Sequence, residues 1–182
     1  MHKSTLWFGE QILKPFFYFM LNRRYEIRKK KLIPAAKSAL VSLADNLNTQ
    51  THISRLHRVN GYLKGFTYKE DRMDYAQKPY LFWISKEGGC EDYALFACEL
   101  LHIYMPCWYM TVHKKSEGHG VCVIQNPNGT YSHISNWSVI RNCFVNEYPT
   151  LNELARSILP TWEWYVLREY NYWKVISICM TD

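Results

Sequence analysis

The chain has 182 residues, of which 48% are hydrophobic and 16% aromatic, a composition typical of one globular domain and not of a disordered chain. The formal net charge of +6 falls entirely in residues 1–33, which hold eight Lys or Arg and two Glu. Residues 34–182 are neutral overall, which argues against a general nucleic-acid-binding domain.

The N-terminal arm, residues 1–33, is expected to be separate from a domain formed by residues 34–182. An apolar and aromatic stretch runs to Leu21, and a cluster of Arg and Lys follows it. The apolar run is too short to span a membrane, and the positive charge follows it, unlike in a signal peptide. We therefore expect a cytoplasmic location. The arm docks either on its own domain or on a partner, with a partner protein preferred to an anionic membrane surface.

Helical periodicity predicts two amphipathic helices, over 35–49 and 52–64, followed by a polar, turn-rich connection over 66–79. A third helix begins at Cys90 after a pair of glycines and ends before Pro106, because proline cannot continue a helix. The six cysteines show no CxxC pair and no spacing typical of zinc ligands. We therefore expect reduced thiols, with no metal site, no cofactor and no disulfide framework.

Alternating, β-branched residues predict strands over 107–113 and 118–125. The turn sequence Asn-Pro-Asn-Gly then predicts a return strand over 130–137. A capping box predicts a short helix over 151–159, and two closing strands are expected around 169–171. Helices in the first half and strands in the second predict an α+β fold.

The turn also predicts which residues face each other. If Gln125 pairs with Thr130, His119 lies directly opposite Asn136 on the same face of the sheet. Cys90 lies at a helix N-terminus, where the dipole favours a thiolate, and it would complete a nucleophile–base–orienter set. In this set Cys90 attacks a carbonyl, His119 transfers the proton and Asn136 orients the imidazole. The backbone N–H of Cys90 is the predicted oxyanion donor. Glu91 and Asp92, in the first turn, are expected to serve the helix dipole.

Three segments resemble the transglutaminase-like superfamily: Gly-Gly-Cys-Glu-Asp-Tyr-Ala at 88–94, His-Gly-Val-Cys-Val at 119–123 and Ser-Asn-Trp at 135–137. The resemblance covers roughly residues 53–140. It is strongest to the short bacterial and phage transglutaminase-like cysteine peptidases, which have a papain-like fold. We therefore expect a helix carrying the nucleophile to pack on an antiparallel sheet.

The resemblance also implies a substrate cleft, which Trp83, Gly89 and Trp137 would line. The chain departs from the family pattern at two of the positions concerned. Gly89 stands where the family typically carries Asp, and Asn136 stands where its third residue is usually Asp. Asparagine does take that third place in papain-like enzymes.

The implied activity is thiol-dependent amide chemistry on a protein or peptide substrate. Water as the acceptor makes the chain a cysteine peptidase or amidase, whereas an amine acceptor makes it a transglutaminase. The resemblance favours hydrolysis slightly. The alternative is a non-catalytic structural or interaction protein that retains the fold, for example a phage virion component, for which the basic, aromatic arm would serve as a docking segment.

Overall fold

The structure, a computed structural model, describes residues 13–70, 76–115, 117–141, 144–170 and 174–180. Its helices are α1 (Lys14–Lys29), α2 (Ile33–Asp45), α3 (His52–Leu63), α4 (Pro79–Ser85), α5 (Cys90–Leu101), α6 (Asn136–Arg141) and α7 (Leu151–Ile158). Its strands are β1 (Thr67–Tyr68), β2 (Glu87–Gly88), β3 (Cys107–Lys114), β4 (Glu117–Gln125), β5 (Tyr131–Ile134), β6 (Trp164–Arg168) and β7 (Val175–Met180).

The two amphipathic helices predicted before the glycine pair are present as α2 and α3. Helix α2 ends earlier than predicted, because the chain leaves it through tighter turns in which the Leu47 N–H donates to the Ala44 carbonyl at 2.8 Å. Helix α3 begins after Thr51, whose hydroxyl accepts a hydrogen bond from the backbone N–H of Ser54. The cap fixes the start of α3 where the periodicity placed it.

The main sheet is antiparallel and has the strand order β5-β4-β3-β6-β7. Strands β3 and β4 form a continuous ladder from the pair Cys107–Ile124 to the pair Lys114–Glu117. The predicted closing strands are confirmed as β6 and β7. His119 consequently lies inside β4 and not at the end of a loop.

Both faces of this sheet are covered. Helix α5 is buried along its whole length except at Glu99, and it packs on the face that carries Tyr109 and Cys122. Alternate residues such as Met110 and Val121 point to the other face, where they form a second hydrophobic cluster with α7. The predicted α+β architecture, with the nucleophile helix on an antiparallel sheet, is confirmed.

The predicted register between β4 and β5 is wrong by one residue. Gln125 pairs with Tyr131 and not with Thr130. Thr130 is held in the turn instead, because its N–H donates to Asn128 Oδ1 at 3.1 Å and its carbonyl accepts from the Asn126 N–H at 2.8 Å. A slip of one residue moves every side chain of a strand to the other face.

The slip changes the neighbours of two histidines. His119 is not the cross-strand partner of Asn136, since β5 ends before that residue. His133 pairs with Val123 and not with Cys122. His133 therefore shares a face of the sheet with His119, although the predicted register placed the two rings on opposite faces.

Helix α6 begins at Asn136, where the return strand was predicted to continue. Two serines cause this change of direction. The Ser138 N–H donates to Ser135 Oγ at 3.3 Å, and Ser138 Oγ accepts from the Ser135 N–H at 2.8 Å. Such short-range bonds between serine side chains and the backbone compete with a sheet ladder and favour the start of a helix.

The second half of the arm forms α1, which contacts the domain through Asn22. The amide of this buried residue donates to the Ala76 carbonyl at 3.1 Å and accepts from the Lys78 N–H at 2.9 Å. Phe16, by contrast, is 60% exposed. Trp7, Phe8 and the other residues of 1–12 lie outside the described residues, so the boundary at residue 33 stays a prediction. No helix in the described ranges is long and apolar enough to cross a membrane.

Candidate active site

The start of α5 is fixed by the carboxylate of Asp92. This carboxylate accepts hydrogen bonds from the Gly89 N–H at 2.9 Å and from the Gln77 N–H at 2.6 Å. A Cβ added at Gly88 would overlap the same carboxylate, so glycine is required there. The prediction that acidic residues of the first turn serve the helix N-terminus is thus confirmed for Asp92.

Cys90, the first residue of α5, is buried and makes two polar contacts through its sulfur. Cys90 Sγ accepts a hydrogen bond from the Gly120 N–H at 3.3 Å and donates one to Glu91 Oε2, also at 3.3 Å. A Cβ at Gly120 would lie 3.2 Å from the Cα and backbone nitrogen of Glu91. The absence of a side chain at Gly120 therefore lets the thiol end of α5 approach β4.

His119 is the residue next to Gly120 on β4. Its ring stacks on the indole of Trp137, with 3.8 Å between ring centroids and 15° between ring planes. Burial, with a smaller contribution from the charge of His133, lowers the pKa of His119 to about 3. The imidazole is therefore neutral at pH 7.

Asn136 and His119 are both buried, and each has a side-chain polar atom without a hydrogen-bond partner in the described ranges. They are 3% and 5% exposed, and Asn136 Oδ1 and His119 Nε2 both lack a hydrogen-bond partner among the described residues. A buried polar atom without a partner costs about 1–3 kcal/mol, so each such atom requires an explanation. The structure places Trp137, the residue after Asn136, against the His119 ring, and so brings both segments of the predicted base–orienter pair to one region.

The other residues predicted to line the cleft have different surroundings. Trp83 stacks on Phe96 with 6° between ring planes, and Lys86 Nζ lies 2.9 Å from the centre of its ring. Burial lowers the pKa of Lys86 to about 8. Gly89 is buried, and a Cβ there would lie 2.9 Å from the Glu91 carboxylate and 3.8 Å from the Lys69 carbonyl oxygen. A role for Trp83 and Gly89 in a cleft stays a prediction.

Sequence reasoning missed two contacts at the nucleophile. It assigned no role to Gly120, although a glycine directly after the candidate base was a usable signal of close approach between backbone segments. It gave Glu91 a role at the helix dipole only, whereas this carboxylate accepts the hydrogen bond of the Cys90 thiol. Neighbours in a helix do not face each other in general, so spacing did not indicate that contact.

Helix α5 begins with Cys90 and packs on the antiparallel sheet. The chain is similar to three structures of LapG from Legionella pneumophila. The EGTA-treated form is 18% identical, with a TM-score of 0.53, and the match covers 77% of this chain and 84% of LapG. A second LapG structure is 19% identical with a TM-score of 0.50, covering 66% and 80%. The calcium-bound form is 17% identical with a TM-score of 0.51, covering 84% and 90%.

At these identities the similarity shows the fold. No protein-family model and no curated protein matches the chain. The phage subgroup that the sequence resembled gains no support from this similarity.

Proposed function

We propose that this chain carries out thiol-dependent amide chemistry on a protein or peptide substrate, with Cys90 as the nucleophile. The observation that carries the proposal is the contact at 3.3 Å between Cys90 Sγ and the Gly120 N–H, because it sets the thiol at a helix N-terminus beside the residue that follows His119. A helix N-terminus and a backbone N–H donor both favour a thiolate over a thiol.

Each residue has a separate role in the proposed reaction. The alternation of β4 places the His119 side chain with Val121, on the face away from α5. In the proposed reaction His119 must therefore turn toward Cys90 to accept the thiol proton as Cys90 attacks the carbonyl, and it later protonates the leaving amine. Asn136 Oδ1 accepts a hydrogen bond from His119 Nε2–H and so fixes the tautomer of the ring. Both atoms that this bond would join are among several buried side-chain atoms without a hydrogen-bond partner in the described residues. The backbone N–H of Cys90, the first residue of α5, is the proposed oxyanion donor.

Calcium needs a separate test, because one of the similar LapG structures is calcium-bound and another is EGTA-treated. Calcium takes six to eight oxygen ligands. Within the described ranges, the one cluster of three or more His, Cys, Asp or Glu side chains consists of cysteines. The carboxylate of Asp92 already accepts hydrogen bonds from Gly89 and Gln77. No calcium site is assigned within the described ranges, and the proposed reaction has no step through calcium.

The acceptor, the partner and the compartment belong to the same proposal. Water is the favoured acceptor, which makes the chain a cysteine peptidase or amidase, and an amine acceptor would make it a transglutaminase. The substrate is a protein or peptide, the arm docks on a partner protein, and the location is cytoplasmic.

The test is a cleavage assay on a fluorescence-quenched peptide library with and without a primary alkylamine. We expect cleavage by the native chain and its loss, by at least a thousandfold, in Cys90→Ala, because the nucleophile of such a set is indispensable. Mass spectrometry of the products distinguishes hydrolysis from incorporation of the amine. Cys179→Ala is the matched control, since Cys179 is a free thiol on β7, and we expect its activity to be unchanged.

Two results would contradict the proposal. Cleavage that is the same for the native chain and Cys90→Ala would remove Cys90 as the nucleophile. A folded native chain without cleavage, transamidation or selective labelling of Cys90 would favour the non-catalytic alternative.

A further inference from the structure

Three cysteines that are far apart in the sequence meet inside the fold. Cys98 lies on α5, Cys107 begins β3 and Cys122 lies in the middle of β4. Their three sulfur atoms all lie within 4.8 Å of one another. We call this group the thiol cluster. It is distinct from the candidate active site, because Cys90 and His119 are not among its members.

The geometry of the thiol cluster fits a single bound ion. Three sulfur atoms bound in a plane to one ion at about 2.3 Å lie about 4 Å apart. Cys107 pairs with Ile124 and Cys122 pairs with Tyr109, so the two cysteines are diagonal neighbours on the face that α5 covers. Cys98 approaches from α5, since the Cys107 thiol donates to its carbonyl at 3.8 Å.

The surroundings favour a particular kind of ion. Cys98 and Cys122 are fully buried, whereas Cys107 is 8% exposed and offers a way in. The thiol cluster belongs to the larger hydrophobic core, where net charge is costly. A monovalent ion is neutralised there by one thiolate, whereas a divalent ion requires two.

The number of ligands also favours a monovalent ion. Structural zinc sites almost always have four ligands, and the thiol cluster has three. Soft thiolate ligands suit Cu(I), which does not demand a fourth.

We propose that the thiol cluster binds one soft monovalent cation, of which Cu(I) is the biological representative, through three sulfur atoms. Binding releases a proton from at least one thiol and leaves the oxidation state of the ion unchanged. The ion links α5 to β3 and β4 through cysteines other than Cys90. It would therefore stabilise the packing of α5 on the sheet without taking part in the reaction.

The experiment is an anaerobic titration with Cu(I) against a competing chromophoric chelator. The reference protein carries Cys90→Ser, Cys179→Ser and Cys143→Ser, the last at a position outside the described residues, so that only the thiol cluster remains. We expect one Cu(I) per chain and a rise in the melting temperature, because the ion binds only the folded state. Adding Cys107→Ser to this protein should weaken binding at least tenfold.

Two further measurements keep the result unambiguous. Thermal unfolding without metal shows whether Cys107→Ser still folds, which we expect because Cys107 is the least buried of the three. X-ray absorption of the loaded reference protein reports the ligands directly, and we expect sulfur alone. Affinity unchanged by Cys107→Ser, a shell with nitrogen or oxygen ligands, or tighter binding of Zn²⁺ than of Cu(I) would each overturn the proposal. Because Cys90 is absent from this protein, these outcomes are independent of the proposed activity.

Discussion

His119 and His133 are both buried on one face of the sheet, and burial lowers their pKa values to about 3 and about 4. The unfolded chain takes up protons on these residues near pH 6.5, while the folded chain does not. The free energy of unfolding is therefore not reduced by these two histidines above about pH 6.5. It falls as the pH drops from about 6.5 toward the pKa values of the folded state. At pH 5 the loss is about 2 kcal/mol for each histidine.

Denaturant unfolding at pH 7.5 and at pH 5 measures this effect. We expect His133→Gln to lose about 2 kcal/mol less than the native chain between the two pH values, because glutamine does not titrate. His57→Gln is the control, since His57 is exposed on α3, and its pH dependence should match that of the native chain. If His133→Gln loses as much stability between pH 7.5 and pH 5 as the native chain, His133 does not cause the loss at acid pH.

Two glycines allow a second prediction at the scale of single residues. Gly88→Ala should destabilise the chain by about 1–3 kcal/mol, because the new Cβ displaces the buried Asp92 carboxylate from the N–H groups that it accepts from. Gly61→Ala is the matched control, since a Cβ there meets nothing within 4 Å and Gly61 lies within α3. We expect Gly61→Ala to be neutral or to stabilise by up to about 1 kcal/mol. Equal melting temperatures for the two variants would contradict this account of Gly88.

At the scale of elements, the site depends on how closely α5 approaches β4. Gly120→Ala would place a Cβ 3.2 Å from the backbone of Glu91 and 3.3 Å from the ring of Tyr109, so the start of α5 must move by a few tenths of an ångström. We expect a loss of about 1–3 kcal/mol from overpacking and slower alkylation of Cys90, because its contact with the Gly120 N–H lengthens. Unchanged alkylation in a folded Gly120→Ala chain would show that this contact does not tune the thiol.

The elements themselves could be predicted where local signals define them. Thr150 accepts from the Glu153 N–H at 3.2 Å, as the capping box indicated, and Thr51 caps α3 in the same way. The pairing of β4 with β5 could not be predicted, because it depends on whether Thr130 belongs to the turn or to the strand. Asn136 likewise lies in α6 and not in the sheet, because hydrogen bonds between Ser135 and Ser138 start the helix there.

The candidate site also has one part that local signals predict and another part that they do not. The position of Cys90 at a helix start follows from its glycines and from the apolar face of α5. The stacking of His119 on Trp137 and the meeting of Cys98 with Cys107 and Cys122 join distant segments. Sequence spacing does not predict such contacts, because they form only when distant segments come together in the folded sheet.

At the scale of the whole molecule, the arm carries the excess charge, and its described part, residues 13–33, makes few core contacts. Deleting residues 1–31 removes the buried Asn22 bonds to Ala76 and Lys78, and the ion pair of Glu26 with Lys78 at 2.6 Å. Because the apolar side chains Phe16 and Phe19 are exposed, we expect a loss of a few kcal/mol, below the typical total of about 5–15 kcal/mol. The truncated chain should still melt cooperatively in a thermal scan. A melting transition that disappears would show that the arm completes the core.

The proposed chemistry rests on Cys90 as a nucleophile activated by its position and by His119. The most direct test is the rate of iodoacetamide labelling at each cysteine as a function of pH, read by mass spectrometry in the native chain and in His119→Gln. We predict that Cys90 labels faster than Cys179 near neutral pH, with a midpoint below the free-thiol value of about 8.5, and that His119→Gln slows this labelling. A Cys90 midpoint at or above about 8.5, unaffected by His119→Gln, would contradict the proposed activation.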